Sequence, residues 1–298
     1  MFPANYRYHR VASFAEACQA MEACGEDAKL LAGGQTLIPM MKLRLLTPAD
    51  LIDLGRVPDA RYVRWREDIL EIGALTTHAA VGLSEAARAY PILADCGLGI
   101  ADAQVRNMGT VGGSLAEADP CSCWPAALLA LDARVRSLGP GGERTQTVAE
   151  LLRDAYTPNL EAAELITALE IDREMLEGVG AFVAFKRTAP AYPTASCALR
   201  MAFDGDRVAR IGLSLGCVAL TSLRVPGVEE ALKGQVLNDG LIGEVAAWAA
   251  ETAEPVADNK GGEAYKRSLV QGLVHRAFAV ALGRKANTPL METHTYYG

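Results

Sequence analysis

Leu31-Ala-Gly-Gly-Gln-Thr-Leu-Ile38 is the stretch on which the reading of this chain turns. Lys29 to Ala32 is a short apolar run suited to a strand, interrupted at once by Gly33-Gly34. Across Gln35 to Leu45, Leu37, Met40, Met41 and Arg44 fall at helical spacing, with Pro39 tolerable only near the helix start. The glycine pair therefore stands where a strand feeds a helix. Residues without side chains let consecutive N–H groups turn toward one point, and a helix N-terminus adds positive potential. A pyrophosphate suits such a loop, with Gln35 and Thr36 as further donors. Asp50 to Leu54 reads as the next strand, and Ser13-Phe14-Ala15-Glu16 as a capping box opening a helix that Gly25 can stop. The opening is thus β-α-β-like.

Thr110-Val-Gly-Gly-Ser114 offers the same chemistry again, with hydroxyls on both sides of the glycines. Two such loops suit a dinucleotide. The alternative is that each Gly-Gly only makes a tight turn. Neither cluster fits G-x-G-x-x-G or the P-loop pattern, so residue chemistry alone stops at a phosphate-binding flavoprotein or nucleotide protein.

Further out, Tyr62 to Arg66 and Ile69 to Gly73 read as a hairpin around Glu67-Asp68. Helices are expected over Ala79 to Ala89, Pro91 to Asp102 and Ala126 to Leu131. Val135 to Leu138 and a short segment near Val148 read as strands on either side of Gly139-Pro140-Gly141-Gly142. The texture changes after Asp172. Ala181 to Lys186, Ser196 to Phe203 and Arg207 to Val218 read as strands, with a hairpin at Asp204-Gly205. Helices follow over Gly227 to Lys233, Asp239 to Thr252 and Glu263 to Leu282. The expectation is an α+β chain: a domain over 1–175 subdivided near 55–60, a domain over 176–285 with a three-stranded antiparallel sheet and three helices, and a tail over 286–298.

A net charge of -7 gives no bulk electrostatic basis for binding nucleic acid or an anionic membrane. The first residues lack a signal-peptide core, and no stretch approaches the roughly 20 apolar residues of a membrane span, so a soluble cytoplasmic protein is expected. Seven cysteines without a C-x-x-C, and four scattered histidines, give no zinc spacing; a metal site made by this chain alone is not expected.

Leu30-Leu-Ala-Gly-Gly-Gln-Thr-Leu-Ile-Pro-Met-Met-Lys-Leu-Arg44, followed by Leu51-Ile-Asp53, closely resembles the first flavin motif of the medium subunits of molybdenum hydroxylases. Arg106-Asn-Met-Gly-Thr-Val-Gly-Gly-Ser-Leu-Ala-Glu-Ala-Asp-Pro120, then Pro125-Ala-Ala-Leu-Leu-Ala-Leu-Asp132, resembles the second. Gly73-Ala-Leu-Thr-Thr-His78 between them is also typical, and the likeness runs from Tyr8 through the final helix. The family includes carbon monoxide, xanthine, aldehyde and N-heterocycle oxidoreductases. The resemblance implies an FAD module of the vanillyl-alcohol oxidase type.

By that resemblance, Leu31, Ala32, Gly33, Gly34, Gln35, Thr36, Leu37 and Ile38 wrap the FAD diphosphate. Thr110, Val111, Gly112, Gly113 and Ser114 hold the flavin side, and Ile100 packs nearby. Thr77, His78, Asp119 and Leu165 join the expected cofactor contacts. Lys186 matches a lysine that contacts FAD in xanthine-oxidising relatives, the alternative being a solvated strand lysine. Tyr192 stands where carbon monoxide dehydrogenase relatives put an aromatic against the isoalloxazine, the alternative being a core or surface tyrosine. Cys123 departs from the Asp or Glu usual there. A thiol is a poor acceptor, which leaves Asp119 or a backbone carbonyl to supply that hydrogen bond. Cys121-Ser-Cys123 falls short of an iron–sulfur site, which normally needs four cysteines.

The function implied is electron relay. A large subunit with the molybdopterin cofactor oxidises a substrate, a small subunit with [2Fe–2S] clusters passes electrons on, and FAD in this chain delivers them to a terminal acceptor, commonly in a dimer of heterotrimers. No residue of the chain need act as acid or base. The rivals are a self-sufficient flavin oxidase or reductase and a scaffold without FAD.

Overall fold

The structure, a computed structural model, describes residues 2–288 and 292–296. Its first part is β1 (Arg7–Arg10), α1 (Phe14–Cys24), β2 (Ala28–Leu31), α2 (Leu37–Leu43) and β3 (Asp50–Asp53), with the strands paired in parallel in the order β1-β3-β2. Ser13 caps α1 by accepting from Glu16 N at 3.0 Å, but Glu16 reaches back to Ala12 N at 2.6 Å, one residue beyond a capping box. β1 has no expectation behind it. It is polar throughout, and Asp50 anchors it through both oxygens to Arg7 and through one to His9. α2 is shorter than expected because Gln35 and Thr36 are spent in the turn that enters it.

The second part runs through β4 (Val63–Arg66), β5 (Ile69–Gly73), α3 (His78–Gly82), α4 (Glu85–Ala89), α5 (Pro91–Gly99), α6 (Ala103–Met108), α7 (Val111–Glu117) and α8 (Cys123–Ala130). It continues with β6 (Arg134–Gly139), β7 (Gly142–Thr147), α9 (Val148–Leu151), β8 (Leu152–Asp154), β9 (Thr157–Pro158) and β10 (Leu165–Asp172). A five-stranded sheet in the order β4-β5-β10-β6-β7 puts β10 at its centre. The hairpin at Glu67-Asp68 forms as read. The helix expected over Ala79 to Ala89 is broken in two, since Ser84 caps α4 by accepting from Ala87 N at 3.1 Å. The next helix stops at Gly99, and Asp102 caps α6. The strand expected near Val148 is β7, which ends at Thr147, where Thr147 and Glu150 form a complete capping box that opens α9.

The third part is α10 (Arg173–Leu176), β11 (Val179–Lys186), β12 (Pro193–Asp204), β13 (Arg207–Gly216), β14 (Leu223–Arg224), α11 (Val228–Leu232), α12 (Asp239–Thr252), α13 (Glu263–Lys285) and β15 (His294–Tyr296). β11, β12 and β13 pair antiparallel, and α11, α12 and α13 follow them in the chain. Two short edge strands widen the sheet to five, in the order β14-β13-β12-β11-β15. β15 comes from the tail and pairs in parallel with Ala184–Lys186. Residues 289–291, 297 and 298 of that tail lie outside the described residues.

α8 joins the second and third parts. All of its residues, Trp124 and Leu128 included, are buried, and it packs against β12 and β13 as well as α5. Burying one leucine-sized side chain contributes roughly 1.5–3 kcal/mol, so this helix is a principal support for the surfaces that meet beside it. Among the described residues no helix is long and apolar enough to cross a membrane.

Candidate functional site

A cleft of about 580 Å3 opens where the three parts meet. Ala32, Gly33, Gly34, Gln35, Thr36 and Leu37 form one wall, and Thr110, Gly112, Gly113, Ser114, Asp119 and Cys123 another. His78, Ile100, Leu165, Lys186 and Tyr192 complete the lining. Four of the expected residues do not reach it. Leu31 and Ile38 pack beneath Gly34, whose missing Cβ would stand 3.1 and 3.0 Å from them. Thr77 caps α3, and Val111 is buried at the start of α7.

The first loop is built to donate. Gly34 has φ 70, a left-handed conformation that glycine adopts without a Cβ clash. The carbonyls of Gly34 and Thr36 accept from Ile38 and Met40 at 3.1 and 3.2 Å, tying the loop to α2. Among the described residues, the N–H groups of Gly33, Gly34, Gln35 and Thr36 have no acceptor in the chain. Such a run of unclaimed donors beside a cleft suits an anion.

The second loop differs from its expectation. Val111 N donates to Thr76 O, Gly112 N to Ala74 O, Gly113 N to Thr110 Oγ1 and Ser114 N to Thr110 O, at 2.9 to 3.2 Å. The N–H groups of Val111 to Ser114 are spoken for, so they cannot repeat the chemistry of the first loop. Its glycines serve proximity instead: a Cβ on Gly112 would stand 2.6 Å from that of Ala74. What this loop offers the cleft is hydroxyls, on Thr110 and on Ser114, the latter 2.5 Å from Ser122 Oγ.

Buried polar groups set the electrostatics. Lys186 is fully buried rather than solvated; its Nζ donates to Gly99 O. Among the described residues no carboxylate pairs with it, and burial lowers its pKa. Arg106 holds the adjacent segment by donating to Ile100 O and Ala101 O, both at 2.9 Å. Cys123 opens α8, and burial pushes its thiol up to about 11, leaving it neutral. Asp119 Oδ1 already accepts from Cys121 N at 2.8 Å. Tyr192 is half exposed at the mouth, so it is a surface residue of the cleft and not a core one.

His78 accepts from Trp124 Nε1 at 3.0 Å through Nδ1, which places its proton on Nε2. Burial lowers its pKa from 6.5 to about 4, and does the same for His294. The unfolded chain takes up protons on both rings below pH 6.5 while the folded chain does not. Stability is therefore full above that pH, falls as pH drops, and levels off below 4, by at most about 3 kcal/mol per ring. Asp95 and Glu117, whose carboxyls burial raises, offset part of this. Urea midpoints at pH 7 and 4.5 should differ accordingly, and His78→Gln should remove about half of the histidine share; an unchanged slope would contradict it.

Residues not anticipated also line the cleft, among them Ala74, Leu46, Val105, Leu160, Glu164 and Ile166. Ala74 lay within a quoted motif. Leu46, Val105, Leu160 and Ile166 carry no chemical signal, and the Glu164 carboxylate is held by Arg144; all five reach the cleft through the path of the chain.

Residues 4–173 match the family model described as the FAD binding domain in molybdopterin dehydrogenase, and residues 180–281 that of the CO dehydrogenase flavoprotein C-terminal domain. The chain is 35% identical over 288 residues to the carbon monoxide dehydrogenase medium chain of Hydrogenophaga pseudoflava, covering 96% of this chain and all of that one. It is 32% identical to the glyceraldehyde dehydrogenase medium chain of Sulfolobus acidocaldarius, over 93% of this chain and 99% of that one. In structure it is similar to carbon monoxide dehydrogenase from Hydrogenophaga pseudoflava lacking the Mo-pyranopterin moiety, with a TM-score of 0.92 across 95% of this chain and 99% of that one, at 35% identity. With its mixed α/β fold and both family domains in order, the chain belongs to the FAD-binding medium subunits of molybdenum hydroxylases, the flavoprotein subunits of multi-subunit oxidoreductases.

Proposed function

We propose that this chain relays electrons from the [2Fe–2S] clusters of a small partner subunit to a terminal acceptor, in a complex whose large subunit holds the molybdopterin cofactor. The unclaimed donors of Gly33 to Thr36, at one end of a cleft that also holds the buried cation Lys186, carry the reading. Bound FAD supplies the redox chemistry. The chain's own part is to hold it. The N–H groups of Gly33 to Thr36 bind the diphosphate, and the Thr110 and Ser114 hydroxyls meet the flavin side. Lys186 sets a positive potential, and Tyr192 covers the mouth.

The same reading includes a vanillyl-alcohol oxidase-type module over 1–175, a C-terminal domain over 176–285 and a dimer of heterotrimers. The separate hydrophobic clusters around Ile52, Leu128 and Phe278 support the subdivision. A cytoplasmic location fits the seven free thiols.

The purified chain should carry FAD non-covalently and be bleached by dithionite, yet stay oxidised with the complex's organic or gaseous substrate. Adding both partner subunits should restore bleaching by that substrate. Rapid bleaching of the chain alone would favour a self-sufficient oxidase, and a colourless chain that takes up no FAD would favour a scaffold.

A further inference from the structure

We propose that Cys121 and Cys217 form a reversible disulfide at the mouth of the cleft, made by hydrogen peroxide with Cys121 as the attacking thiol. Cys121 lies half-buried in the connection between α7 and α8, and Cys217 follows β13. Cys217 N donates to Pro120 O at 3.1 Å, which fixes the two chain segments side by side, and the two thiols are close enough to perturb each other's ionisation. Lys260 Nζ lies 3.4 Å from Cys121 Sγ. Among the described residues no carboxylate pairs with Lys260, so its charge is available to a thiolate. Cys217 sits at φ 67, where glycine is the cheap choice.

The chemistry of the cysteines separates them. The neighbouring Cys217 thiol and the Lys260 charge bring Cys121 down to about 7, against the burial that opposes them. Burial pushes Cys96, Cys123 and Cys197 up, and they remain thiols. Since the thiolate is the nucleophile, peroxide should select Cys121.

The Cys121 thiolate attacks one peroxide oxygen and the O–O bond breaks. That oxygen stays on sulfur as a sulfenic acid, and the other leaves as water with the proton the thiol gave up. The Cys217 sulfur then attacks the Cys121 sulfur; the S–O bond breaks and the hydroxyl departs as a second water with the Cys217 proton. Two thiols lose two electrons and the peroxide gains them. The disulfide removes the anionic partner of Lys260, which also donates to Pro193 O at 3.1 Å and stands 5.7 Å from the Tyr192 ring centre. Oxidation thus reports directly to residues at the mouth of the cleft.

The full chain, treated with hydrogen peroxide at pH 7 and alkylated, should yield a Cys121–Cys217 linked peptide that dithiothreitol removes. Cys217→Ser should leave Cys121 as a sulfenic acid trapped by dimedone, and Lys260→Gln should slow loss of the Cys121 thiol several-fold. The proposal is overturned if the wild-type chain keeps Cys121 freely alkylatable, if oxidation falls evenly on all cysteines, or if fragmentation assigns the first link to Cys123.

Discussion

Gly33→Val should strip the chain of FAD. A Cβ at this position would stand 2.8 Å from Gly109 Cα and 2.9 Å from Met108 C, with Met108 O closer still. All three are backbone atoms and cannot swing aside as a side-chain tip would. Either the donor loop or the Met108–Gly109 segment must move, and both belong to the framework of the cleft. Valine adds two methyl groups to a position that already refuses the first. We expect FAD affinity to fall at least about 100-fold, equivalent to ~2.7 kcal/mol. Gly113→Val should act differently but to the same end. Its Cβ would meet Thr110 Oγ1 at 2.8 Å and face Ala32 at 3.9 Å, inside the cleft. Gly272→Ala on α13, with open space around it, should keep full flavin. Flavin absorbance per chain after gel filtration, with circular dichroism to confirm folding, reads the outcome. Wild-type flavin content in both valine variants would remove the assignment of these loops.

The contrast between the two glycine clusters marks how far sequence carried the site. Gly33-Gly34 was legible because the strand and helix that frame it are its own neighbours. The second cluster looked equivalent, yet the N–H groups of Val111 and Gly112 are claimed by Thr76 and Ala74, whose approach no local pattern announces, and those of Gly113 and Ser114 by Thr110. Lys186 enters through the resemblance, with a solvated strand lysine as the alternative; its burial beside the tail strand β15 and Gly99 at the end of α5 has no signal in its own strand. β10 escaped notice although it is the centre of its sheet. A register shift between Ile166 and Ala168 breaks its alternation, and the period on which a strand is read goes with it. β1 escaped because its residues are polar and its hold on the sheet is Asp50, far along the chain.

Asp95→Ala should be among the most destabilising single substitutions in this chain. Asp95 on α5 receives Arg284 from α13 through both oxygens, each at 2.7 Å, and accepts Phe182 N from β11 at 3.1 Å. Arg284 Nη1 also donates to Gly180 O at 2.5 Å. The two side chains are only 8% and 10% exposed, so removing the carboxylate strands a guanidinium away from water. Breaking one side of a buried pair costs about 3–5 kcal/mol, whereas replacing both partners with apolar groups of similar volume is often near neutral. Asp95→Leu combined with Arg284→Met should therefore recover most of what Asp95→Ala loses in urea unfolding. The pair also binds α5 to β11, and those are the elements that bring Gly99 O to Lys186 Nζ. Asp95→Ala should accordingly lower FAD content at temperatures where the chain is still folded, and the double variant should restore part of it. A loss under about 1 kcal/mol, or a double variant no better than the single, would show that this contact is solvated in solution and does not hold the two halves of the cleft together.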